Sequence, residues 1–440
     1  MNAGMIVLLG CVFYSTAQHQ SITFLASFNN RMVPHLLQAL SYNQSNVVYS
    51  PFGLATSLAV VFEGVDDKIA TELCKILGLS SPKATRENLR LGIKILLEHM
   101  QAIQRKNTDG VVISLNSAKV HAPDSLFQPY AQLLKNYYKT EMLENITANA
   151  TELVLDYFTD TRVMSHWKDF DKLAVYTYLT HQPSVPFMTP YGDVVNVPMV
   201  PQVGLFKAGY HPKLNSQIVE LPLEDDATSL VLIMPDHKDG MEDVLLKMLE
   251  VDLRTLVKRL PTSEVEVTLP QFALVNSGLN IGKILKKSGL GIAFTRATTK
   301  NKRGSSRRRT TTGLLKSIKQ NAYFATSFTS VNSVASTGST LYRKVKGEAK
   351  KSETKKPQPA PTLNIDALDI ENLTKLLEKL EAGKQNVKNE QQTEYSFQNE
   401  QTRRKRETVQ SYSFNKPFIF LIYHIKSSVI LLAGTVTRPT

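Results

Sequence analysis

Cysteine usage constrains this chain more than any other feature. Its 440 residues contain only Cys11 and Cys74. Cys11 lies in a short apolar run, Met5 to Phe13, which is followed by Ser15-Thr16-Ala17, a small-x-small pattern suited to signal peptidase. No basic residue precedes the run, so the α-amino group alone supplies positive charge; a buried N-terminal strand is the other reading of these residues. With residues 1–17 removed as a signal peptide, the mature chain starts near Gln18 and keeps Cys74 alone, so no internal disulfide can form. An exported protein without disulfides must draw its stability from one large core, and residues 18–440 are expected to form a single domain. The composition, 42% hydrophobic and 21% charged, permits it.

The formal net charge is +13. It is concentrated in two clusters, Lys300 to Arg309 and the long segment Arg343 to Arg406, both of which read as loops, and this distribution argues against a nucleic-acid partner. Closely spaced Lys and Arg attract sulfate and phosphate, so Lys300–Arg309 can serve a glycosaminoglycan or other polyanion. The alternative is a solvated basic loop or a protease target. Beyond the N-terminus no run of eighteen apolar residues occurs, so no membrane-spanning helix is expected. Asn-x-Ser/Thr triplets stand at Asn43, Asn145, Asn149 and Asn372, and a secretory route makes them glycosylation acceptors.

Periodicity gives a mixed architecture. Phe24–Leu40 has apolar residues at helical spacing, and Ser50-Pro51 opens a second helix with Leu54, Leu58, Val61 and Phe62 on one face. Glu87–Gln104 repeats Leu89, Ile93, Leu96 and Leu97 at three and four. Val111–Val120 alternates as a strand. Gln217–Leu221 and Ser229–Met234 are short apolar runs around the turn Glu224-Asp225-Asp226, and Glu264–Leu269 alternates charge with β-branched residues before Pro270-Gln271-Phe272. Ser277 reads as the N-cap of a helix running to Lys287. Phe418–Ile422 and Val429–Val436 read as a closing hairpin around Lys426-Ser427-Ser428. Helices early and strands late indicate an α+β fold.

Residues 345–406 stand apart. They are rich in Lys, Glu, Gln, Thr and Pro, with Lys355-Lys356-Pro357-Gln358-Pro359-Ala360-Pro361 at their heart, the composition of a low-complexity insertion. Inside it Ile365, Leu368, Leu373, Leu376, Leu377 and Leu380 lie at helical spacing.

Catalytic signatures are missing. There is no His-Glu-x-x-His, no Gly-x-Ser-x-Gly and a single mature cysteine. Gly278-Leu279-Asn280-Ile281-Gly282-Lys283 is one residue short of a phosphate loop, and Ile284 stands where Ser or Thr is required; a helix N-terminus is the better reading. His166, His181, His211 and His237 are scattered. No enzyme, metal or cofactor is expected.

Three stretches together resemble the serpin family. The first is Asn46-Val47-Val48-Tyr49-Ser50-Pro51-Phe52, continuing through Gly64 to Ala70-Thr71-Glu72-Leu73. The second runs from Val197-Pro198-Met199 through Phe206, Tyr210, Leu221-Pro222 and Leu232-Ile233-Met234-Pro235 to Leu269-Pro270-Gln271-Phe272. The third is Phe414-Asn415-Lys416-Pro417-Phe418-Ile419-Phe420 with the closing Gly434-Thr435-Val436-Thr437-Arg438-Pro439. The resemblance implies three β-sheets, eight or nine helices and an exposed reactive loop. It also implies a mechanism in which a target protease cleaves the loop, stays acyl-linked to it, and is carried away as the loop inserts into the main sheet.

In the family the loop follows a His-Lys-Ala-Phe segment, matched here by Gln320-Asn321-Ala322-Tyr323. The hinge runs from Ser330, and Val331, Ser333, Ala335 and Thr337, the side chains that alternate inward on insertion, are small and uncharged. Counted forward from the hinge, the family's spacing places the reactive bond at Lys344-Val345, with Arg343 before it. Counted backward from Phe414, it falls on Arg406-Glu407, at the end of Arg403-Arg404-Lys405-Arg406. The two counts differ by the length of the insertion. A strand from Val331 to Lys344 spans about 46 Å at 3.3 Å per residue, so a protease held at Lys344 is dragged with little slack, whereas one at Arg406 hangs on a long tether. Arg403–Arg406 then reads as a cut site for a furin-like or trypsin-like enzyme.

The residues that match the strand beside the opening point are Ala174 to Gln182, which lack that strand's Asn and Trp, and Gln320 replaces the family's His. Two functions follow. One is a secreted, monomeric suicide inhibitor of trypsin-like serine proteases acting through Lys344 or Arg343. The other is a non-inhibitory secreted binding protein or precursor processed at its basic sites.

Overall fold

The computed structural model describes residues 3–41, 46–65, 67–106, 110–121, 124–146, 152–168, 184–287, 291, 294, 314–327, 329–344 and 410–439. The chain begins with α1 (Ala3–Leu40), β1 (Val47–Tyr49), α2 (Pro51–Gly64), α3 (Asp67–Leu77) and α4 (Pro82–Lys106). Next come β2 (Val111–His121), α5 (Asp124–Tyr138), β3 (Thr140–Ile146), β4 (Glu152–His166), β5 (Ser184–Met188), β6 (Val194–His211), β7 (Ser216–Pro222) and β8 (Thr228–Pro235). They are followed by α6 (Met241–Met248), β9 (Thr262–Pro270), β10 (Phe272–Leu279) and α7 (Ile281–Lys287). The remaining strands are β11 (Leu314–Thr326), β12 (Ser330–Lys344), β13 (Gln410–Ser413), β14 (Phe418–His424) and β15 (Val429–Val436).

A six-stranded sheet has the order β10-β11-β12-β4-β2-β3. A second path of strands runs β1-β15-β14-β8-β7-β6-β9-β13, with β5 paired to β6. The long strand β6 makes this path two sheets in one. Its first residues pair with β5, Met199–Lys207 pair with β9, and Lys207–His211 pair with β7. With the six-stranded sheet this gives the three-sheet, α+β layout expected of the serpin fold.

Helix α2 forms the middle of the core. Ser50 caps it by accepting a hydrogen bond from Gly53 N at 2.9 Å, and Pro51 occupies the first turn, where its missing N–H costs nothing. Residues 51–62 are all buried, so the helix is covered on every side, as a helix held between two sheets must be. It packs on β12 and β4 on one side and on β15 on the other. Behind it Asn29 and Asn30 tie α1 to the closing hairpin: Asn29 Nδ2 donates to Ile430 O at 2.9 Å, and Asn30 Nδ2 donates to Ser428 O at 2.7 Å.

The hairpin β14–β15 is buried along its whole length. Gly434 faces Phe420 across it, and a Cβ there would lie 2.2 Å from Val47 O and 2.3 Å from the Phe420 ring. Phe420 in turn stacks on Phe324 of β11 with ring centroids 3.9 Å apart, joining the sheets. Among the described residues no helix is long and apolar enough to cross a membrane.

One capping expectation is corrected. Ser277 lies within β10, and α7 starts at Ile281 behind Asn280, whose Oδ1 accepts from Lys283 N at 3.0 Å. The β10 pairing with β11 continues to Leu279, and the sheet ladder outcompetes an earlier helix start. Residues 3–17 belong to α1, which runs to Leu40 with Pro34 inside it. Of the glycosylation triplets, Asn145 pairs with Val120 in the edge strand β3, while Asn43, Asn149 and Asn372 lie outside the described residues.

Candidate functional site

The segment expected in the reactive loop is strand β12. It leaves β11 through a tight turn in which Ser327 N donates to Ser330 O at 2.9 Å and Ser330 N donates to Ser327 Oγ at 3.0 Å. From there β12 pairs antiparallel with β11 from Val331 to Tyr342 and with β4 from Ser330 to Lys344. Both edges are therefore satisfied, which is what burying a strand in mid-sheet demands.

The inward row is Val331, Ser333, Ala335, Thr337, Ser339 and Leu341, all buried. Sequence reasoning had the first four in that row. Small size is a packing requirement at its centre. Gly53 of α2 sits under Thr337 so closely that a Cβ would meet Thr337 Oγ1 at 2.2 Å. Gly64, about three turns along, lies under Leu341 in the same way, with 2.3 Å to Leu341 Cδ2. Polar members of the row are satisfied locally. Ser333 Oγ donates to Val163 O at 3.0 Å.

Gln320 of β11 joins this row to the helix cap. Its Oε1 accepts from Ser50 N at 2.8 Å, and its Nε2 donates to Ser50 O at 3.0 Å and to Thr337 Oγ1 at 2.6 Å. The amide supplies both a donor and an acceptor, so it serves where the resemblance implied a His. Nothing in the sequence pointed to that role beyond Gln320 standing at the matching position.

The strand beside the insertion point requires a correction. Ala174–Gln182 lies outside the described residues, and the strand paired to β12 is β4, Glu152–His166. Its alternation is plain once placed: Leu155, Tyr157, Thr159, Thr161, Val163 and Ser165 are buried, with Asp156, Asp160 and Arg162 between them. Burial pushes the phenol of Tyr157 well above its ordinary pKa. The Trp read as absent follows immediately. Trp167, the only tryptophan in the chain, donates through Nε1 to Ser327 O at 3.1 Å and through its backbone N to Thr329 O at 3.1 Å. It clasps the turn from which β12 departs.

The described part of β12 reaches Lys344, which pairs with Glu152. Val345, Arg406, Glu407 and the basic run Lys300–Arg309 lie outside the described residues. The chain returns as β13, which pairs in parallel with β9 from Gln410 to Ser413, with Phe414 N donating to Thr268 O at 2.8 Å. No cluster of His, Cys, Asp or Glu able to hold a metal occurs among the described residues.

Comparison with known proteins agrees with this geometry. The serpin (serine protease inhibitor) family model matches residues 27–155 and 177–366. The stretch between the two matches holds most of β4 and Trp167. Intracellular coagulation inhibitor 2 of Tachypleus tridentatus is 23% identical over 305 residues, 64% of this chain and 74% of that protein. Among solved structures, cleaved Serpin 42Da superposes with a TM-score of 0.64 at 16% identity, covering 96% of this chain and 100% of the other. A loop-inserted structure of a cleaved ovalbumin mutant gives 0.64 at 15% identity, covering 94% and 100%.

Proposed function

The chain belongs to the serpin family, whose members are in general protease inhibitors and not enzymes, and on that premise we propose that this one is a secreted inhibitor of trypsin-like serine proteases. Lys344-Val345 is the bait bond, with Arg343 beside it. One observation carries the reading: the inserted strand, numbered from its hinge, stays paired as far as Lys344, the residue that the family's spacing assigns to the reactive bond. A basic side chain there suits an acidic specificity pocket. The small inward row supports the same reading, because the sheet accepts Val331 to Leu341 without a charged or oversized side chain.

The test is incubation with a trypsin-like protease. A complex that survives denaturing electrophoresis, and disappears in the Arg343→Ala/Lys344→Ala double variant, supports inhibition. Clean cleavage without a complex gives the second reading, a non-inhibitory secreted binding protein or precursor. That reading is favoured by a specific fact: β12 is already paired on both edges in a chain with no break in it.

A further inference from the structure

The inward row of β12 is small until its last member. Val331, Ser333, Ala335, Thr337 and Ser339 are followed by Leu341, the largest side chain of the row, which is only 2% exposed. Its seat is the C-terminal end of α2. A Cβ on Gly64 would lie 2.3 Å from Leu341 Cδ2 and 3.4 Å from the Tyr130 hydroxyl, so the seat exists because residue 64 has no side chain. Tyr130 of α5 is itself fixed, donating to Val60 O at 3.2 Å.

α4 anchors the floor of this seat with two arginines. Arg86 donates to Phe62 O at 2.7 Å and to Val65 O at 3.0 Å, satisfying carbonyls where α2 runs out. Arg90 holds the buried carboxylate of Glu63 through Nε and Nη2, and Tyr138 OH donates to the same carboxylate at 3.0 Å. The opposite face of the strand is held as well. Thr340 Oγ1 donates to Asp156 Oδ1 at 2.7 Å, and Lys316, the extra residue of a bulge in β11, places its ammonium 4.9 Å from the centre of the Tyr342 ring.

A strand that enters from its hinge meets this seat last. If Leu341 stays out, residues 341–344, about 13 Å of strand, remain outside the sheet. We propose that the Leu341 seat on Gly64 is the positioning element that completes entry of β12, and that it decides whether a protease held at Lys344 is trapped or released. The proposal rests on the inhibitor reading above and deepens it. With Leu341 seated, pairing runs through to Lys344. With the seat overfilled, entry stalls and the protease keeps a working active site. Water then hydrolyses the ester at the Lys344 carbonyl, returning free protease and a chain that ends in a Lys344 carboxylate. The seat therefore acts on the partition after cleavage and leaves the rate of cleavage alone.

The experiment uses the full-length protein with trypsin as the probe. Two quantities are read: the total rate of cleavage after Arg343 or Lys344, and the moles of protein consumed per mole of trypsin trapped. Leu341→Phe overfills the seat from the strand and Gly64→Ala from the floor. Each is expected to raise the moles consumed at least about threefold at an unchanged total rate of cleavage. Gly64→Ala/Leu341→Ala makes room for the new methyl and should return to within about 1.5-fold of the parent, as should Leu341→Met, which conserves volume. If Gly64→Ala does not fold, the comparison of Leu341→Phe with Leu341→Met decides alone. Leu341→Phe protein that traps trypsin as economically as the parent overturns the proposal. So does a loss of trapping that follows a slower total cleavage, because Leu341 would then act in recognition by the protease. A parent protein that is cleaved without forming any complex sinks the inhibitor reading itself, and the seat's role with it.

Discussion

Gln320 Nε2 donates to Thr337 Oγ1 at 2.6 Å, and through that bond the segment before the hinge holds the middle of the strand that follows it. The same side chain satisfies both backbone groups of Ser50. Replacing it leaves Ser50 N without its partner and Thr337 Oγ1 without its donor, each costing about 1–3 kcal/mol, while Ser50 O keeps only the bond from Leu54 N. Gln320→Leu is expected to lose about 3 kcal/mol in urea unfolding and Thr337→Val about 1 kcal/mol. The double variant should fall short of the sum by about 1 kcal/mol, because the two share a bond. A Gln320→Leu protein as stable as the parent would show that the bridge holds nothing.

Gly53 is the floor under Thr337. Gly53→Ala places a methyl 2.2 Å from Thr337 Oγ1 and 3.2 Å from its Cβ, and is expected to cost about 2 kcal/mol as overpacking. Removing the hydroxyl relieves the nearer contact, so Gly53→Ala/Thr337→Ala should melt above Gly53→Ala alone. Calorimetry of the three variants decides; equal melting of the single and double variants would separate Gly53 from the strand.

Gly434 admits no such rescue, because one neighbour of its missing side chain is backbone, Val47 O at 2.2 Å, and another is the buried ring of Phe420. Gly434→Ala must part β1 from β15 or move the ring off Phe324. A loss of at least about 3 kcal/mol is expected, read as a fall in soluble yield and in denaturant midpoint. Phe420→Leu, which shortens the obstructing side chain, is expected to recover only part of it.

His424 makes stability depend on pH. Burial, with His99 and Lys426 close by, holds its imidazole down to a pKa of about 4, and its Nδ1 accepts a hydrogen bond from Ser427 N at 3.2 Å. The unfolded chain takes up this proton near pH 6.5, the folded chain only near pH 4, so unfolding binds a proton between those values. Stability contributed by neutral His424 is therefore complete above about pH 6.5 and declines by about 3 kcal/mol as pH falls to 4. Urea midpoints measured across that window should slope accordingly, and His424→Asn should flatten the slope.

Much of this fold could be read from residue order. The α2 cap at Ser50-Pro51, the alternation of β2 and the closing hairpin are local patterns, and local patterns survive divergence because each satisfies its own backbone. The inward row of β12 was legible for the same reason: a period of two with small side chains leaves one choice of face. β4 was not, since Asp156, Thr159, Asp160 and Arg162 dilute its apolar signal, and only pairing with β2 and β12 marks it as a central strand. Gln320 and Gly53 were beyond reach for a different reason. Their roles arise from contacts with Thr337 across sequence separations that no periodicity records.

The described residues beyond the link are buried almost without interruption from Phe414 to Val436, between α1, α2 and the neighbouring strands. A cut anywhere in 345–409 thus yields two polypeptides that share one hydrophobic interior. The shorter one becomes an obligate subunit, absent from a denaturing gel lane at full length yet inseparable in solution, and its partner has no folded existence without it.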